Sequence, residues 1–132
     1  MAVSLVTGGA GFIGAHVVNE LISMNHKVVV LDDLSGGYIE NVNPKIEFIK
    51  LNLVEDSIEE FFEIHKFDYV FHFAAYAAEG LSPFIRQYNY ENNLVATARI
   101  INQCIKHDVK RLVFTSTLAV YGHGYGGIFD EN

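Results

Sequence analysis

Short apolar runs alternate with longer amphipathic segments along this chain. The short runs are rich in β-branched and aromatic residues and read AVSLV (2–6), KVVVL (27–31), IEFI (46–49), DYVFHF (68–73) and RLVFTS (111–116). Helical spacing occupies the intervals at 12–24, 55–65 and 84–107. Because VVVL and YVFHF are apolar on consecutive residues, these strands should be buried on both faces. The pattern predicts an α/β fold, a doubly wound parallel sheet covered by helices on both sides.

Two of the predicted helices carry an apolar stripe that should pack against the sheet. The first stripe consists of Phe12, Ile13, Val17, Val18, Leu21 and Ile22. The second follows the fourth strand and consists of Leu94, Ala98, Ile101 and Ile105. Apolar side chains that recur every three or four residues lie on one side of a helix. We therefore expect both stripes to be buried.

The first strand and the first helix are joined by a glycine-rich turn, with glycines at 8, 9, 11 and 14. Such a turn before a helix N-terminus is an anion site, since backbone N–H groups point at the ligand. A tight turn at Gly8 or Gly9, the missing Cβ at Gly11 and close helix packing at Gly14 suit a dinucleotide pyrophosphate. The sequence therefore predicts a Rossmann-type cofactor site.

A carboxylate ends the second strand, where a dinucleotide site needs one. Asp32 can accept hydrogen bonds from the hydroxyls of an adenosine ribose. No Arg or Lys follows it before Lys45, so nothing nearby would pair with a 2′-phosphate. We expect NAD rather than NADP, and we expect the neighbouring Asp33 to be a loop or cap residue.

Composition and charge argue against several classes of function. The 132 residues are 50% hydrophobic and 19% charged, with a formal net charge of -7, which suits one globular domain and argues against nucleic-acid binding. The six histidines lack metal-ligand spacing, so no metal site is expected. Cys104 is the only cysteine and is expected to be a small buried side chain. The sequence shows neither a signal peptide nor a membrane span, and we expect a cytoplasmic location.

Five segments together resemble a known superfamily. TGGAGFIGAH (7–16) is similar to the fingerprint of the extended short-chain dehydrogenases/reductases, and within them of the NAD-dependent nucleotide-sugar epimerases and dehydratases. LDDLSGG (31–37) resembles their second-strand acid, and VFHFAAYAA (70–78) their cofactor-facing turn. YENNLVAT (90–97) and LVFTSTLAVYG (112–122) resemble their Asn-containing helix and active-site edge. Enzymes like UDP-glucose 4-epimerase are the nearest in pattern.

The resemblance implies a role for each matching residue. The pyrophosphate would lie against Gly8, Gly11, Phe12, Ile13 and Gly14. The nicotinamide side would be lined by Phe73, Ala74, Ala75 and Tyr76. Asp32 would hold the adenosine ribose. Either Asn92 or Asn93 would position the cofactor or the active-site backbone, with a capping or solvent-facing role for the other.

Two further positions complete the implied site. Thr115 would line the cofactor site at the end of the fifth strand, and Thr117 matches the catalytic Ser/Thr of the family. Where the family often has Gly-Asp-Ile, this chain has Leu51-Asn52-Leu53. Asn52 would bond to the adenine edge or cap its own loop, and both alternatives are open. Leu53 would lie beside the adenine.

The catalytic Tyr-x-x-x-Lys pair of the family is missing, because none of the seven tyrosines has a lysine four positions later. We expect residues 1–120 to form an NAD-binding domain truncated after about five strands. Residues 121–132 would be a glycine-rich loop or frayed end, and the C-terminal substrate domain would be absent. Two functions remain open: the NAD-binding part of a nucleotide-sugar epimerase or dehydratase, inactive alone, or a stand-alone non-catalytic NAD-binding or regulatory module. The resemblance implies two partners. One is a nucleotide-sugar, if a C-terminal half completes the site, and the other is a second copy of the chain.

Overall fold

The structure, a computed structural model, describes residues 1–122. It contains a single sheet of five parallel strands in the order β3-β2-β1-β4-β5. The strands are β1 (Val3–Thr7), β2 (Lys27–Asp32), β3 (Glu47–Lys50), β4 (Tyr69–His72) and β5 (Arg111–Phe114). The predicted doubly wound parallel sheet is confirmed. Most of the glycine-rich segment predicted at 121–132 lies outside the described residues.

The strand order creates a crevice above β1 and β4. The chain leaves β1 toward β2 on one side and later returns to pair β4 on the other, with Val6 opposite both Val30 and Phe71. At such a switch point the connections diverge and leave an opening at the carboxyl ends of the strands. The glycine-rich turn follows β1 directly, so the fold places it at this opening.

Four α-helices are described: α1 (Phe12–Ser23), α2 (Glu59–His65), α3 (Arg86–Asn89) and α4 (Ala96–Lys106). A π-helical segment, Tyr90–Val95, joins α3 to α4. The α1 side of the sheet is a core of Val6, Val18, Leu21, Val28 and Val30. On the opposite side, Phe62 of α2 and Ile100 of α4 pack with strand residues such as Leu5 and Val29. None of the helices within 1–122 is long and apolar enough to cross a membrane.

The predicted stripe of α1 is wrong at its first two positions. Phe12 is 81% exposed and Ile13 is 55% exposed, whereas Val18 and Leu21 are buried as expected. The helix begins beyond the carboxyl end of β1, so its first turn stands above the sheet rather than on it. Phe12 and Ile13 consequently face the opening of the crevice.

The predicted stripe of α4 is also wrong, since Leu94, Ala98, Ile101 and Ile105 are all exposed. The sheet is instead contacted by Ala96, Ile100 and Cys104. This helix is apolar on two faces, and the face with small side chains allows a closer approach to the strands. A hydrogen bond between Thr97 and the buried His72 holds the helix in this rotation.

Two smaller expectations have clear outcomes. The helix predicted at 55–65 begins only at Glu59, because an Asx turn at Asn52 occupies the residues before it. Cys104 is buried as predicted, and burial raises the pKa of its thiol to about 11. A thiol that stays protonated near neutral pH is a poor nucleophile, so Cys104 acts as a core residue.

Candidate functional site

The glycine-rich turn brings the backbone of β1 against the turn after β4. Gly8 has φ +70, and its N–H donates to the carbonyl of Leu31 at 2.9 Å. A Cβ on Gly8 would lie 2.6 Å from the backbone nitrogen of Ala74, and one on Gly14 would lie 2.2 Å from the carbonyl oxygen of Gly8. Both positions require glycine, one for its φ and close approach, the other for helix packing.

Gly11 differs from the other two glycines. It has ordinary extended backbone angles as the residue before α1, and the atom nearest to a Cβ added there would be the Gly8 carbonyl oxygen at 3.3 Å. The backbone angles at Gly11 therefore admit other residues, and an added Cβ would require the Gly8 carbonyl to give by only a few tenths of an ångström. An added methyl would project into the crevice, above the N–H groups of the first turn of α1, which have no partner within the helix.

Asp32 joins the end of β2 to the glycine-rich turn. One carboxylate oxygen accepts the N–H of Ala10 at 3.0 Å, and the other accepts the N–H of Leu34 at 2.8 Å. The side chain is largely buried, with 9% exposed, and still lines the crevice. Each carboxylate oxygen can accept more than one hydrogen bond, so capacity remains for the hydroxyls of a ligand.

The loop after Asp32 packs on the glycine-rich turn, which sequence reasoning missed. The carbonyl oxygen of Ala10 accepts the N–H of Tyr38 at 3.1 Å and the side-chain amide of Asn41 at 2.9 Å. A Cβ on Gly37 would lie 2.8 Å from the backbone of Ala10. Asp33 caps this loop by accepting the N–H of Ser35, as predicted.

The loop after β3 forms a wall of the crevice beside Asp32. The side-chain oxygen of Asn52 accepts the N–H groups of Val54 and Glu55, which is the loop-capping alternative. The guanidinium of Arg99 on α4 donates to the carbonyls of Leu53, Val54 and Asp56. Sequence reasoning assigned Arg99 no role, because its partners lie more than forty positions away.

The turn after β4 forms the opposite wall. The side chain of Asn93 accepts the N–H of Tyr76 at 2.7 Å and donates to the carbonyl of the same residue at 2.9 Å. The amide of Asn92 donates to the carbonyl of Tyr88, one turn earlier, while Asn92 lines the crevice. Of the two asparagines, Asn93 is therefore the one that holds the backbone of the turn after β4.

Thr117 lies at the far end of the opening. It follows β5, is exposed, and its hydroxyl oxygen accepts the N–H of Ala119 at 3.2 Å as the cap of a 3₁₀ turn. Thr115 and Ser116 line the same cavity. The hydroxyl of Thr117 keeps its proton available for donation to a ligand.

Two adjoining cavities form one groove along the carboxyl ends of the strands, and their shared walls are Gly8, Gly11, Phe73, Ala75 and Tyr76. The smaller, of about 190 Å³, is also lined by Asp32, Leu53, Ala74 and Asn92. The larger, of about 800 Å³, is also lined by Phe12, Ile13, Gly14, Thr115 and Thr117. The structure thus brings the predicted site residues together except Asn52, which borders neither cavity. Within residues 1–122, no three His, Cys, Asp or Glu side chains converge as a metal site would require.

The features of this groove suit a dinucleotide. The first turn of α1 opens onto the groove beside Gly11, and a carboxylate stands at the end of the neighbouring strand. A parallel sheet with this crevice at its switch point defines a Rossmann-type dinucleotide-binding domain. The chain belongs to the NAD dependent epimerase/dehydratase family, whose model matches residues 4–132. The predicted family and its NAD dependence are thereby confirmed.

Individual relatives agree with this assignment. The chain is 37% identical over 129 residues to a putative UDP-glucose 4-epimerase of Methanocaldococcus jannaschii, covering 97% of this chain and 42% of that protein. It is 39% identical over 119 residues to UDP-glucose 4-epimerase of Halalkalibacterium halodurans, covering 89% and 35%. The crystal structure of the Thermus thermophilus UDP-glucose 4-epimerase complex with NAD superposes with a TM-score of 0.92 at 36% identity, covering 98% and 42%. The chain therefore spans less than half the length of these relatives.

Proposed function

We propose that this chain binds NAD and forms the cofactor-binding part of a nucleotide-sugar epimerase or dehydratase similar to UDP-glucose 4-epimerase. The observation that carries the proposal is the continuous groove from Asp32, across Gly11, to Thr117. Its polar groups lie where a ribose, a pyrophosphate and a sugar hydroxyl would each need a partner. The similarity to a UDP-glucose 4-epimerase in complex with NAD supports the same assignment.

In this proposal the groove divides by chemistry. Asp32 accepts the hydroxyls of the adenosine ribose, with Leu53 and Asn92 beside that half. The pyrophosphate lies on the first turn of α1, against Gly8, Gly11, Phe12, Ile13 and Gly14. Phe73, Ala74, Ala75 and Thr115 line the nicotinamide half. Asn52 keeps its loop-capping bonds and lies outside both cavities of the groove.

Bound NAD would supply reversible hydride acceptance at a sugar carbon. Thr117 is the candidate catalytic residue, since its hydroxyl can donate to the sugar hydroxyl that is oxidised. The Tyr-x-x-x-Lys pair that would take the hydroxyl proton is not present in these 132 residues. We therefore expect the chain to bind NAD without turning over a nucleotide-sugar by itself.

Calorimetric titration tests cofactor binding. We expect NAD to bind, and NADP to bind more weakly because its 2′-phosphate would meet the Asp32 carboxylate. Gly11→Ala should weaken NAD binding by about tenfold or more, equivalent to ~1.4 kcal/mol, because the methyl fills space needed by the pyrophosphate. Asp32→Ala is a less clean variant, because it also removes two backbone hydrogen bonds of the fold.

Gly80→Ala is the matched control for this titration. A Cβ on Gly80 has no atom within 4 Å, and the residue lines neither cavity. The control should bind NAD like the unaltered chain. A folded protein that binds neither cofactor would overturn the proposed function, and equal NAD affinity in Gly11→Ala would exclude the glycine-rich turn as the pyrophosphate site.

A non-catalytic NAD-binding or regulatory module is the second candidate function. The two candidates differ at the Thr117 end of the groove. A UDP-sugar that binds the NAD-loaded chain there, and binds more weakly to Thr117→Val, supports the enzyme part. Unchanged UDP-sugar affinity in Thr117→Val supports the module.

The lone Cys104, which has no internal disulfide partner, is consistent with the reducing cytoplasm as the location of the protein.

We also propose that two copies of the chain associate through α4. Leu94, in the π-helical segment, continues into Ala98, Ile101 and Ile105 of α4 as one exposed apolar stripe, which we call the α4 stripe. A helix face of this kind is buried efficiently by the same face of a second copy around a two-fold axis. The resemblance to the epimerase family, whose members often pair through this helix, points to the same partner.

Sedimentation equilibrium tests the pairing. We expect a dimer for the unaltered chain and a monomer for Ile105→Glu, because two-fold symmetry buries the introduced carboxylate twice. Ile64→Glu is the control, since Ile64 is similarly exposed, at 64% against 72%, but stands on α2 outside the α4 stripe. A monomeric unaltered chain, or a dimer that survives Ile105→Glu, would contradict the pairing through α4.

A further inference from the structure

A chain of hydrogen bonds runs beneath the groove through a buried histidine. Nδ1 of His72 lies 2.6 Å from the hydroxyl oxygen of Thr7, and Nε2 lies 3.0 Å from that of Thr97. Thr7 ends β1, His72 ends β4, and Thr97 stands on α4. His72 is only 1% exposed and lines neither cavity of the groove. The imidazole thus connects three elements without reaching the ligand space.

The groups at the two ends of this series of hydrogen bonds determine which partner donates and which accepts at each step. Thr97 donates its hydroxyl proton to the carbonyl of Asn93 at 2.6 Å, so its oxygen accepts from Nε2–H of His72. A neutral ring then has an unprotonated Nδ1, which accepts from the hydroxyl of Thr7. The Thr7 oxygen in turn accepts the N–H of Ala74 at 3.3 Å. One tautomer of His72, protonated at Nε2, satisfies every partner.

A protonated ring does not fit this arrangement. With hydrogen on both nitrogens, Nδ1–H would face the hydroxyl that donates to it, and a positive charge would be buried without a carboxylate. Burial lowers the pKa of His72 to about 4, so the ring is neutral at pH 7. The His72 ring also stacks on Phe114, with centroids 6.1 Å apart, which holds its plane.

Both ends of the hydrogen-bond chain support walls of the groove. At one end, Thr7 directly precedes Gly8, whose backbone packs against Ala74. At the other end, Asn93 holds the N–H and the carbonyl of Tyr76. A shift of His72 would therefore change the gap between Gly8 of the glycine-rich turn and the turn after β4, of which Phe73, Ala75 and Tyr76 line the larger cavity.

We propose that His72, as the Nε2–H tautomer, is a positioning residue that sets the width of the nicotinamide half of the groove. It acts through Thr7 and Ala74 on one side and through Thr97 and Asn93 on the other. The inference rests on the proposed function of NAD binding. It identifies His72 as the buried side chain that determines the affinity for the nicotinamide half of NAD. The adenosine half shares Gly8 and Ala74 with this wall, but Asp32 and the loop that Arg99 holds take no part in the hydrogen bonds of His72, Thr7 and Thr97.

Comparing NAD with ADP-ribose, which lacks the nicotinamide ring, tests this inference by calorimetry on the full chain. His72→Asn should weaken NAD binding by about fivefold to tenfold, the scale of one lost hydrogen bond. ADP-ribose binding should change little. Thr97→Val is an isosteric change that breaks the series of hydrogen bonds at its other end. It should likewise weaken NAD binding and leave ADP-ribose binding little changed, and it replaces His72→Asn in the test if that variant does not fold.

His26→Asn is the matched control. Nδ1 of His26 lies 2.7 Å from the buried hydroxyl of Ser4, at the end of β1 far from the groove. This variant should retain both affinities even if it lowers stability. A purely structural role for His72 would weaken NAD and ADP-ribose binding equally, and that result would overturn the inference while leaving the proposed function intact.

The tautomer provides a readout that is independent of ligand. In a spectrum of the ¹⁵N-histidine-labelled chain at pH 7, the His72 ring should carry its proton on Nε2. Protonation on Nδ1 would overturn the inference by itself. If the unaltered chain binds neither NAD nor ADP-ribose, the proposed function fails and the inference fails with it, an outcome distinct from binding without selectivity.

Discussion

Replacing Gly14 by alanine is expected to lower the free energy of unfolding by about 3 kcal/mol, at the upper end of what overpacking costs. The added Cβ would lie 2.2 Å from the carbonyl oxygen of Gly8 and 2.7 Å from the Cα of Gly9. All of these contacts are with backbone, so no side chain can move aside to relieve them. The glycine-rich turn itself has to shift, and NAD binding should be lost along with the stability.

The sign of this effect makes the measurement decisive. Helix propensity alone would favour alanine over glycine inside α1 by about 1 kcal/mol. A loss on denaturant unfolding monitored by circular dichroism can therefore be attributed to the contact with Gly8. Gly80→Ala, with open space around its Cβ, should leave stability within about 0.5 kcal/mol. An unchanged or raised stability in Gly14→Ala would show that α1 does not pack this closely on the turn.

The parts of the fold that sequence predicted well depend on local patterns. Strands buried on both faces appear as uninterrupted apolar runs, and β2 and β4 were found for that reason. The glycine-rich turn and Asp32 are also local, because the requirements of a pyrophosphate recur at a set spacing along the chain. Predictions of this kind need no knowledge of which distant residues meet.

Sequence patterns failed where two faces of a helix compete. In α4 the more hydrophobic face, with Ile101 and Ile105, is the one that periodicity predicts to be buried, yet Ala96, Ile100 and Cys104 face the sheet. Periodicity measures which side chains share a face but not which face fits the neighbouring strands. Phe12 and Ile13 illustrate a similar limit, since they continue a buried stripe beyond the edge of the surface that buries it.

Long-range polar contacts were the other omission. The bonds of Arg99 to the loop after β3, of Asn41 to Ala10 and of His72 to Thr7 join residues far apart in sequence. Each of these side chains looks unremarkable beside its own neighbours. Only the strand order, which places β4 next to β1, shows that His72 and Thr7 are adjacent.

Replacing Arg99 by methionine is expected to lower the free energy of unfolding by about 3 kcal/mol. This is the upper value for one hydrogen bond from a charged donor and less than three such bonds would give, because Arg99 is half-buried and water can replace part of what is lost. The guanidinium donates to three carbonyls, those of Leu53, Val54 and Asp56. Methionine retains the length and apolar character of the stem but leaves these carbonyls without their donor. Denaturant unfolding measures the loss, and faster amide exchange at Val54 and Asp56 would locate it.

Two further variants separate the geometry of Arg99 from its charge. Arg99→Lys retains the positive charge on a compact ammonium that cannot span three carbonyls, so it should recover only part of the stability. Lys106→Met removes a charge from the same helix, where Lys106 pairs with Glu59 of α2, and should have little effect because both groups are exposed.

Arg99→Met also tests how the groove is divided between the adenosine and nicotinamide halves of the ligand. In the proposed division of the groove, Arg99 supports the loop on the adenosine side and His72 supports the wall on the nicotinamide side, so the two variants should have different ligand profiles. Arg99→Met should weaken ADP-ribose and NAD binding alike, because both ligands contain the adenosine half. If Arg99→Met instead spared ADP-ribose, the loop that carries Leu53 would not be part of the adenosine site, even though it borders the same cavity as Asp32.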